Sequence, residues 1–522
     1  MWPPGSVPAV TCVIAIDAGT TGVRSLAVDE AGTVIDVAYR ELTQYFPRPG
    51  WVEHDAGEIW DAVRATLSEV AGRRRHEGRS VAAIGITNQR ETVVAWDRTS
   101  GVPLARAIVW QDRRTAARCE ALREAGHLDL VRRRTGLALD PYFSATKMAW
   151  LLDEGGVEDG PDLVLGTVDT WVAWNLTGAA AGGVSSTDPS NASRTLLYDI
   201  REQRWSEELA DLFGVPLRAL PEMRPSCGRI GVVADGPGGD TALTGLAGVA
   251  VSGVAGDQQA ALFGQACFTP GMAKVTYGTG SFVLSNVGEH CPEPVEGLLT
   301  TVAWDLGAHG GESPLAYALE GAVFATGAAI QWLRDGLGII TEAAEIGPLA
   351  ASITDTEGVV VVPAFTGLGS PWWDPYARGT IVGLSRGTGA AHIARAVVEA
   401  IAFQVRDVVD AMTAASGSSL AVLRADGGAA AMDLLLELQA DQLRVPVTRP
   451  ASTETTALGA ATLAGLAEGV WSSVDELAAL WTASLECGPR RSQVAADSAH
   501  AAWRRAVERS LGWAQPDDSE PR

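Results

Sequence analysis

Lysine is almost missing from this chain: Lys147 and Lys274 stand alone against 38 arginines. A phosphate loop of the GxxxxGK[ST] type needs glycine directly before its lysine, and Thr146 and Ala273 fill those places. No complete GxGxxG and no HRD tripeptide occurs either. These absences count against P-loop NTPases, Rossmann dinucleotide enzymes by that fingerprint, and protein kinases. Cysteine is sparse, at positions 12, 119, 227, 267, 291 and 487, with no CxxC pair. That argues against a disulfide framework or a cysteine-rich zinc site and suits a reducing cytosol. No apolar run reaches the 18 or so residues of a membrane span, and the N-terminus has no basic n-region. The expectation is a soluble, cytoplasmic protein.

Positive charge is short as well. The formal net charge is −23, and the densest basic run is only Arg73-Arg74-Arg75. Such a chain repels phosphate backbones, so nucleic acid is not an expected partner. The runs at 73–75 and 132–134 read as solvated helix ends. What is plentiful is glycine, 58 residues in 522, in a chain long enough for two domains.

The chain opens with Val13-Ile14-Ala15-Ile16-Asp17, a Gly19-Thr20-Thr21-Gly22 turn, and the runs 23–28 and 34–39. This predicts a three-stranded antiparallel meander with a carboxylate at the first tight turn. Asp55 and Glu58 then predict a helix start, with Ile59, Val63, Leu67 and Val70 on one face and Gly72 at the end. A buried strand at 83–86 follows, so the class is α/β. A second strand, Gly278-Thr279-Gly280, strand unit lies 259 residues after the first, nearly half the chain. It fits two similar lobes, each aiming a hairpin at one ligand. Further on come a strand at 359–362, a helix over 391–412, and a strand at 420–424 leading into Asp426-Gly427-Gly428. Residues 235–240 read as a surface loop and the tail from Gln515 as disordered.

An Asp at a strand end followed by Gly-Thr-Thr-Gly suits a nucleotide phosphate and its water-bound Mg²⁺, though the same letters also make an ordinary hairpin. Gly427-Gly428 would let backbone approach a ligand closely. Arg90 and Glu91 could share a ligand only if their strand has ended; otherwise they form a surface ion pair. Asp257, after an uncharged run, is either a helix cap or a functional carboxylate.

The motifs DAGTTGVR, ITNQRET, IVWQDRRT, GTVDTW, SNASRTLL, AGDQQAALFGQ, GMAKVTYGTGSF, EGAVFATGAAIQWLRD, PAFTGLGSPWWDPYARG and RADGGA occur in one order. In that order they resemble the glycerol kinases, within the FGGY carbohydrate kinases of the actin/hexokinase ATPase superfamily. The resemblance runs from about residue 12 to about 480. It implies two ribonuclease-H-like (actin-like ATPase) domains, at 1–262 and 263–522, with a central active-site cleft. The implied activity is ATP-dependent phosphorylation of glycerol to sn-glycerol 3-phosphate, with Mg²⁺ as cofactor and Asp257 as general base. Positions Arg90, Glu91, Tyr142, Asp257 and Gln258 would hold the polyol hydroxyls, and Trp110 and Phe282 its carbon face. Thr20, Thr21, Gly22, Arg24 and Thr279 would hold phosphates, Asp17 the metal, and Gly327, Gln331 and Gly428 the ribose and adenine side.

Departures from that pattern are Ala18 for Gln, Gly22-Val23 for a Ser pair, and Met432 for Asn near the nucleotide. The 235–243 loop has no arginine for fructose 1,6-bisphosphate, and no histidine lies between His127 and His290 for a phosphohistidine switch. The alternatives are a kinase for another small polyol or ketose, a non-catalytic sensor on the same fold, or an actin-like assembly ATPase. Oligomeric state is left open.

Overall fold

A computed structural model describes residues 11–235, 241–311 and 314–515. The expected loop at 235–240 and tail from 515 therefore fall almost wholly outside the described residues.

The first sheet is built from β1 (Thr11–Ala18), β2 (Gly22–Asp29), β3 (Val34–Glu41), β4 (Ser80–Asn88), β5 (Cys227–Val232) and β6 (Ala250–Gly256). Their spatial order is β5-β6-β4-β1-β2-β3. The β1-β2-β3 meander is antiparallel, as its turn residues predict, and β4 and β6 add in parallel beside β1. Helix α1 (Ala56–His76) covers one face and starts at Asp55, whose carboxylate accepts from the Gly57 and Glu58 amides. The helix does not stop at Gly72. Arg73 and Arg74 hold its last turn to the sheet through Asp36, at 2.8 and 3.0 Å. Arg74 is buried while Arg75 is exposed, so this basic run is a helix end as expected, solvated in part. Helix α2 (Asp257–Gly264) follows β6 directly.

The second sheet takes β7 (Met272–Tyr277), β8 (Ser281–Gly288), β9 (Leu299–Asp305), β10 (Leu315–Val323), β11 (Val422–Asp426), β12 (Val447–Pro450) and β13 (Ala483–Cys487). Their order is β9-β10-β8-β7-β11-β12-β13. With β9 set aside, both sheets repeat one plan: an antiparallel meander, two parallel strands, then an antiparallel edge. The half-chain repeat of the Gly-Thr turns is thus a repeat of topology. Helix α3 (Gly327–Gln331) follows β10, and α4 (Ala390–Ser416) is the long core helix of this half, burying Val397, Ile401, Val405, Val408 and Met412.

One helix crosses between the halves. α5 (Thr455–Ala467, TTALGAATLAGLA) packs on β1, β4, β6 and α2 of the first sheet. Only small residues allow this approach. A Cβ on Gly85 would collide with the Ala460 carbonyl, and one on Gly253 would sit 2.5 Å from the Ala464 nitrogen.

Candidate active site

The end of β4 decides the geometry around Arg90 and Glu91. After Asn88 the Gln89 amide bonds the Ala18 carbonyl, and the Gln89 side chain donates to the Gly19 carbonyl at 3.0 Å. The chain then turns through Glu91 at φ +63°. Arg90 and Glu91 leave the pleat and both point inward, each 2% exposed. They are not a surface ion pair. The Arg90 guanidinium donates to both Glu320 oxygens (2.6 and 3.2 Å), to Gln259 Oε1 (3.1 Å) and to the Tyr142 hydroxyl (3.3 Å). Its Nε lies 3.3 Å from Asp257 Oδ1. Glu91 accepts from Arg194 Nε at 2.6 Å.

Asp257 is the first residue of α2, and its Oδ1 accepts the Gln258 amide at 2.7 Å. The N-cap is Gly256 and no side chain caps the helix, so Asp257 is not a cap; its side chain is one-third exposed. Burial pushes its carboxyl above the ordinary value, against the pull of Arg90 and Lys274. Gln258 accepts from the Lys274 ammonium. Tyr142 is seated by Lys147, whose ammonium donates to the backbone carbonyls of Pro141, Tyr142 and Phe143. The Tyr142 ring meets Trp110 edge-on at 5.6 Å, and Trp110 Nε1 donates to Thr20 Oγ1 at 2.9 Å. Phe282, on β8, pairs with Thr276 and Ala322 and shares their face of the second sheet.

At the first Gly-Thr turn, Asp17 is the last residue but one of β1, beside a turn closed by Gly19 N to Gly22 O at 3.0 Å. Arg24 bonds Asp17 Oδ2 (2.5 Å) and Glu454 Oε2 (2.8 Å), which ties the turn to the entry of α5. Burial raises the Asp17 carboxyl, with Arg24 opposing it. Thr20 is half-buried and Thr21 exposed. Gly22 lies under the Tyr39 ring, whose hydroxyl donates to the Thr21 carbonyl at 3.2 Å.

The second turn converges with two other glycine segments. Thr279 accepts from the Thr326 and Ala328 amides at 3.0 Å, and Gly327 N donates to Gly278 O at 2.9 Å. Gly427, at φ +86°, presses on the Tyr277 backbone where a Cβ would lie 2.5 Å from its carbonyl oxygen. Gly428 and Gln331 are exposed there, while Met432 is half-buried beside Gly347.

Several participants were not singled out from the sequence. Glu320 and Lys274 are lone charges inside apolar strands, LAYALEGAV and MAKVTY, and that isolation was the available signal. Register places them on one face: Glu320 pairs with Leu284, and Leu284 with Lys274. Lys274 also reaches Thr276 (2.9 Å), which donates to Asp426 (2.6 Å). Asp426 in turn accepts from Gln265 and from Thr455 at the start of α5.

Two sheets of one topology, each carrying a Gly-Thr turn between its first two strands, describe a kinase of the actin-like ATPase class. The family profile "FGGY family of carbohydrate kinases, N-terminal domain" matches residues 12–264 and its C-terminal counterpart residues 273–468. The chain belongs to the FGGY family of carbohydrate kinases, and within it to the glycerol kinases. A glycerol kinase of Bordetella parapertussis is 53% identical over 509 residues, covering 97% of this chain and 98% of that one. Glycerol kinase 2 of Thermotoga maritima is 48% identical over 505 residues, with 96% and 99% covered. Among solved structures, Plasmodium falciparum glycerol kinase with ADP superposes at a TM-score of 0.91, with 33% identity and 97% and 99% coverage. A ligand-bound xylulose kinase of Lactobacillus acidophilus, 20% identical, shares the fold at a TM-score of 0.82, with 96% and 97% coverage.

Proposed function

We propose that the chain transfers the γ-phosphoryl group of ATP to a terminal hydroxyl of glycerol, giving sn-glycerol 3-phosphate and ADP. The observation that carries this reading is the convergence of Arg90, Glu91, Tyr142 and Asp257 at one buried point between two phosphate-type turns. A triol needs several polar partners and an apolar wall. Arg90, Glu91, Tyr142 and Gln258 supply the partners, Trp110 and Phe282 the wall. Asp257 takes the proton of the attacking hydroxyl, whose oxygen bonds to the γ-phosphorus as the bond to the β,γ-bridging oxygen breaks. Its raised carboxyl makes it a stronger base than an ordinary aspartate.

Thr20, Thr21, the Gly22 amide, Arg24 and Thr279 hold phosphates, while Gly327, Gln331 and Gly428 line the nucleoside side. Asp17 is the residue that would hold Mg²⁺, which when bound neutralises phosphate charge. A single carboxylate at the phosphate turn suits an ion that takes its other oxygens from phosphates and water. We read the lobes as dividing near residues 262–263, with α5 returning to brace the first. Among the described residues no helix is long and apolar enough to cross a membrane. Dependence on ATP is what supports the reading of a cytoplasmic enzyme.

The test is a crystal structure with glycerol and a non-hydrolysable ATP analogue. A terminal hydroxyl within about 2.6–3.2 Å of the Asp257 carboxylate, aimed at the γ-phosphate, is expected. Glycerol bound away from Arg90 and Asp257 would overturn the assignment.

A further inference from the structure

Arg90, Glu91 and Tyr142 come from the first half of the chain, yet one carboxylate that links them, Glu320, comes from the second. Glu320 stands in mid-strand on β10 with its side chain 1% exposed. Its two oxygens take the Nη1 and Nη2 edges of Arg90 at 2.6 and 3.2 Å. A guanidinium is planar with its donors in a fixed fork. Gripping both Nη atoms therefore fixes the plane and leaves the Nε edge toward Asp257, where it is found at 3.3 Å.

Glu320 Oε1 also accepts Arg194 Nη2 at 2.9 Å. Arg194 is fully buried, and its Nε donates to Glu91 at 2.6 Å. The Arg194 guanidinium lies 5.6 Å from the centre of the Tyr142 ring and 5.2 Å from that of Phe143. Arg90, Glu91 and Tyr142 thus all trace back to one carboxylate, directly or through one arginine. Burial would raise that carboxyl, but Arg194 and Arg90 overrule it and hold it at about 2. It stays ionised at any working pH.

We infer that Glu320, with Arg194 as its intermediary, is a positioning residue for the acceptor: it sets the Arg90 plane, the Glu91 carboxylate and the Tyr142 ring. It need not touch substrate. Because Glu320 stands on the second sheet and Arg90 on the first, the pair also makes acceptor binding depend on how the two lobes sit. The inference rests on the reading of the acceptor side under Proposed function. The alternative is a buried ion network that only stabilises the fold. Such a network, when broken, would lower stability and disturb both substrates alike.

The experiment separates these. Glu320→Gln, Glu320→Asp and Arg194→Lys are assayed with glycerol varied at saturating Mg-ATP, then with ATP varied at saturating glycerol. Melting curves accompany each variant. Glu320→Gln is expected to raise the glycerol KM at least tenfold with the ATP KM within twofold of the parent. Glu320→Asp keeps the charge on a shorter stem and should recover at least threefold of that loss. Arg194→Lys keeps charge but loses the fork, and should raise the glycerol KM at least fivefold. It supplies the same reading if Glu320→Gln does not melt cooperatively. Both KM values rising together, Glu320→Asp behaving as Glu320→Gln, or a glycerol KM within twofold of the parent in every variant would each overturn the inference. The parent is first assayed on glycerol, dihydroxyacetone and xylulose, and the variants on whichever acceptor it prefers. A parent that prefers xylulose refutes the glycerol reading, while a selective acceptor KM effect still supports Glu320.

Discussion

Replacing Asp257 by Asn keeps the shape of the side chain and an oxygen for the Gln258 amide, but removes the carboxylate proposed to accept the proton. In the structure Asp257 sits 3.3 Å from Arg90 Nε and within the field of Lys274. Both cations remain neutralised in Asp257→Asn, because Arg90 keeps Glu320 and Glu91 and Lys274 keeps Gln258, Thr276 and the nearby Asp426. The site should therefore hold its shape. General-base assistance is worth about 10²–10⁴ in rate, or roughly 3–5.5 kcal/mol, and kcat should fall by that range. Glycerol affinity should change less, since Arg90, Glu91 and Tyr142 are untouched.

Stability gives an independent sign. Burial raises the Asp257 carboxyl in the fold, so its contribution to stability is present at acid pH and lost as pH rises through the folded value. At neutral pH the ionised group costs stability, and the neutral amide relieves that cost. Asp257→Asn should thus lose activity without losing Tm. Steady-state kcat, glycerol titration and melting at neutral pH decide it. A kcat within threefold of the parent would refute the base assignment, and a lowered Tm would mean that the Arg90 contact outweighs the burial of the carboxylate.

Two predictions concern the frame. Asp169 is fully buried against the Thr167 and Thr187 hydroxyls, and burial raises its carboxyl to about 7, with the Asp188 charge adding to the rise. Between its unfolded value and about 7 the folded state binds the extra proton, so stability falls as pH rises through that window. Asp169→Asn should flatten the Tm profile there, and an unchanged slope would count against it. Gly85→Ala drives a methyl group into the Ala460 carbonyl of α5. Overpacking of this kind costs about 1–3 kcal/mol, to be read from denaturant midpoints, and a variant of parental stability would mean α5 is loosely seated.

What the sequence disclosed was mostly local. Turn chemistry located both Gly-Thr hairpins, and Asp55 with Glu58 located the start of α1. Reading Gly72 as that helix's end missed the later local stop: α1 runs to His76 and closes at Gly78, at φ +74°, while Asp36 on β3 holds Arg73 and Arg74. For Arg90 and Glu91 the deciding fact was where β4 ends, which the letters left open. Glu320 and Lys274 could be recognised only through strand register, since a lone charge in an apolar strand has no meaning until its cross-strand neighbours are known. The composition of α5 reads as a small-residue helix of the second half. Its place against the first sheet follows from Gly85 and Gly253, more than two hundred residues upstream.

The most direct test of the whole account is a comparison of kcat/KM for glycerol and for xylulose with Mg-ATP, under one set of conditions. The arrangement of Arg90, Glu91, Tyr142 and Asp257 predicts that glycerol wins by at least tenfold, about 1.4 kcal/mol of transition-state stabilisation. A tenfold preference for xylulose would contradict the acceptor assignment and leave only the kinase fold and its ATP-binding lobes standing.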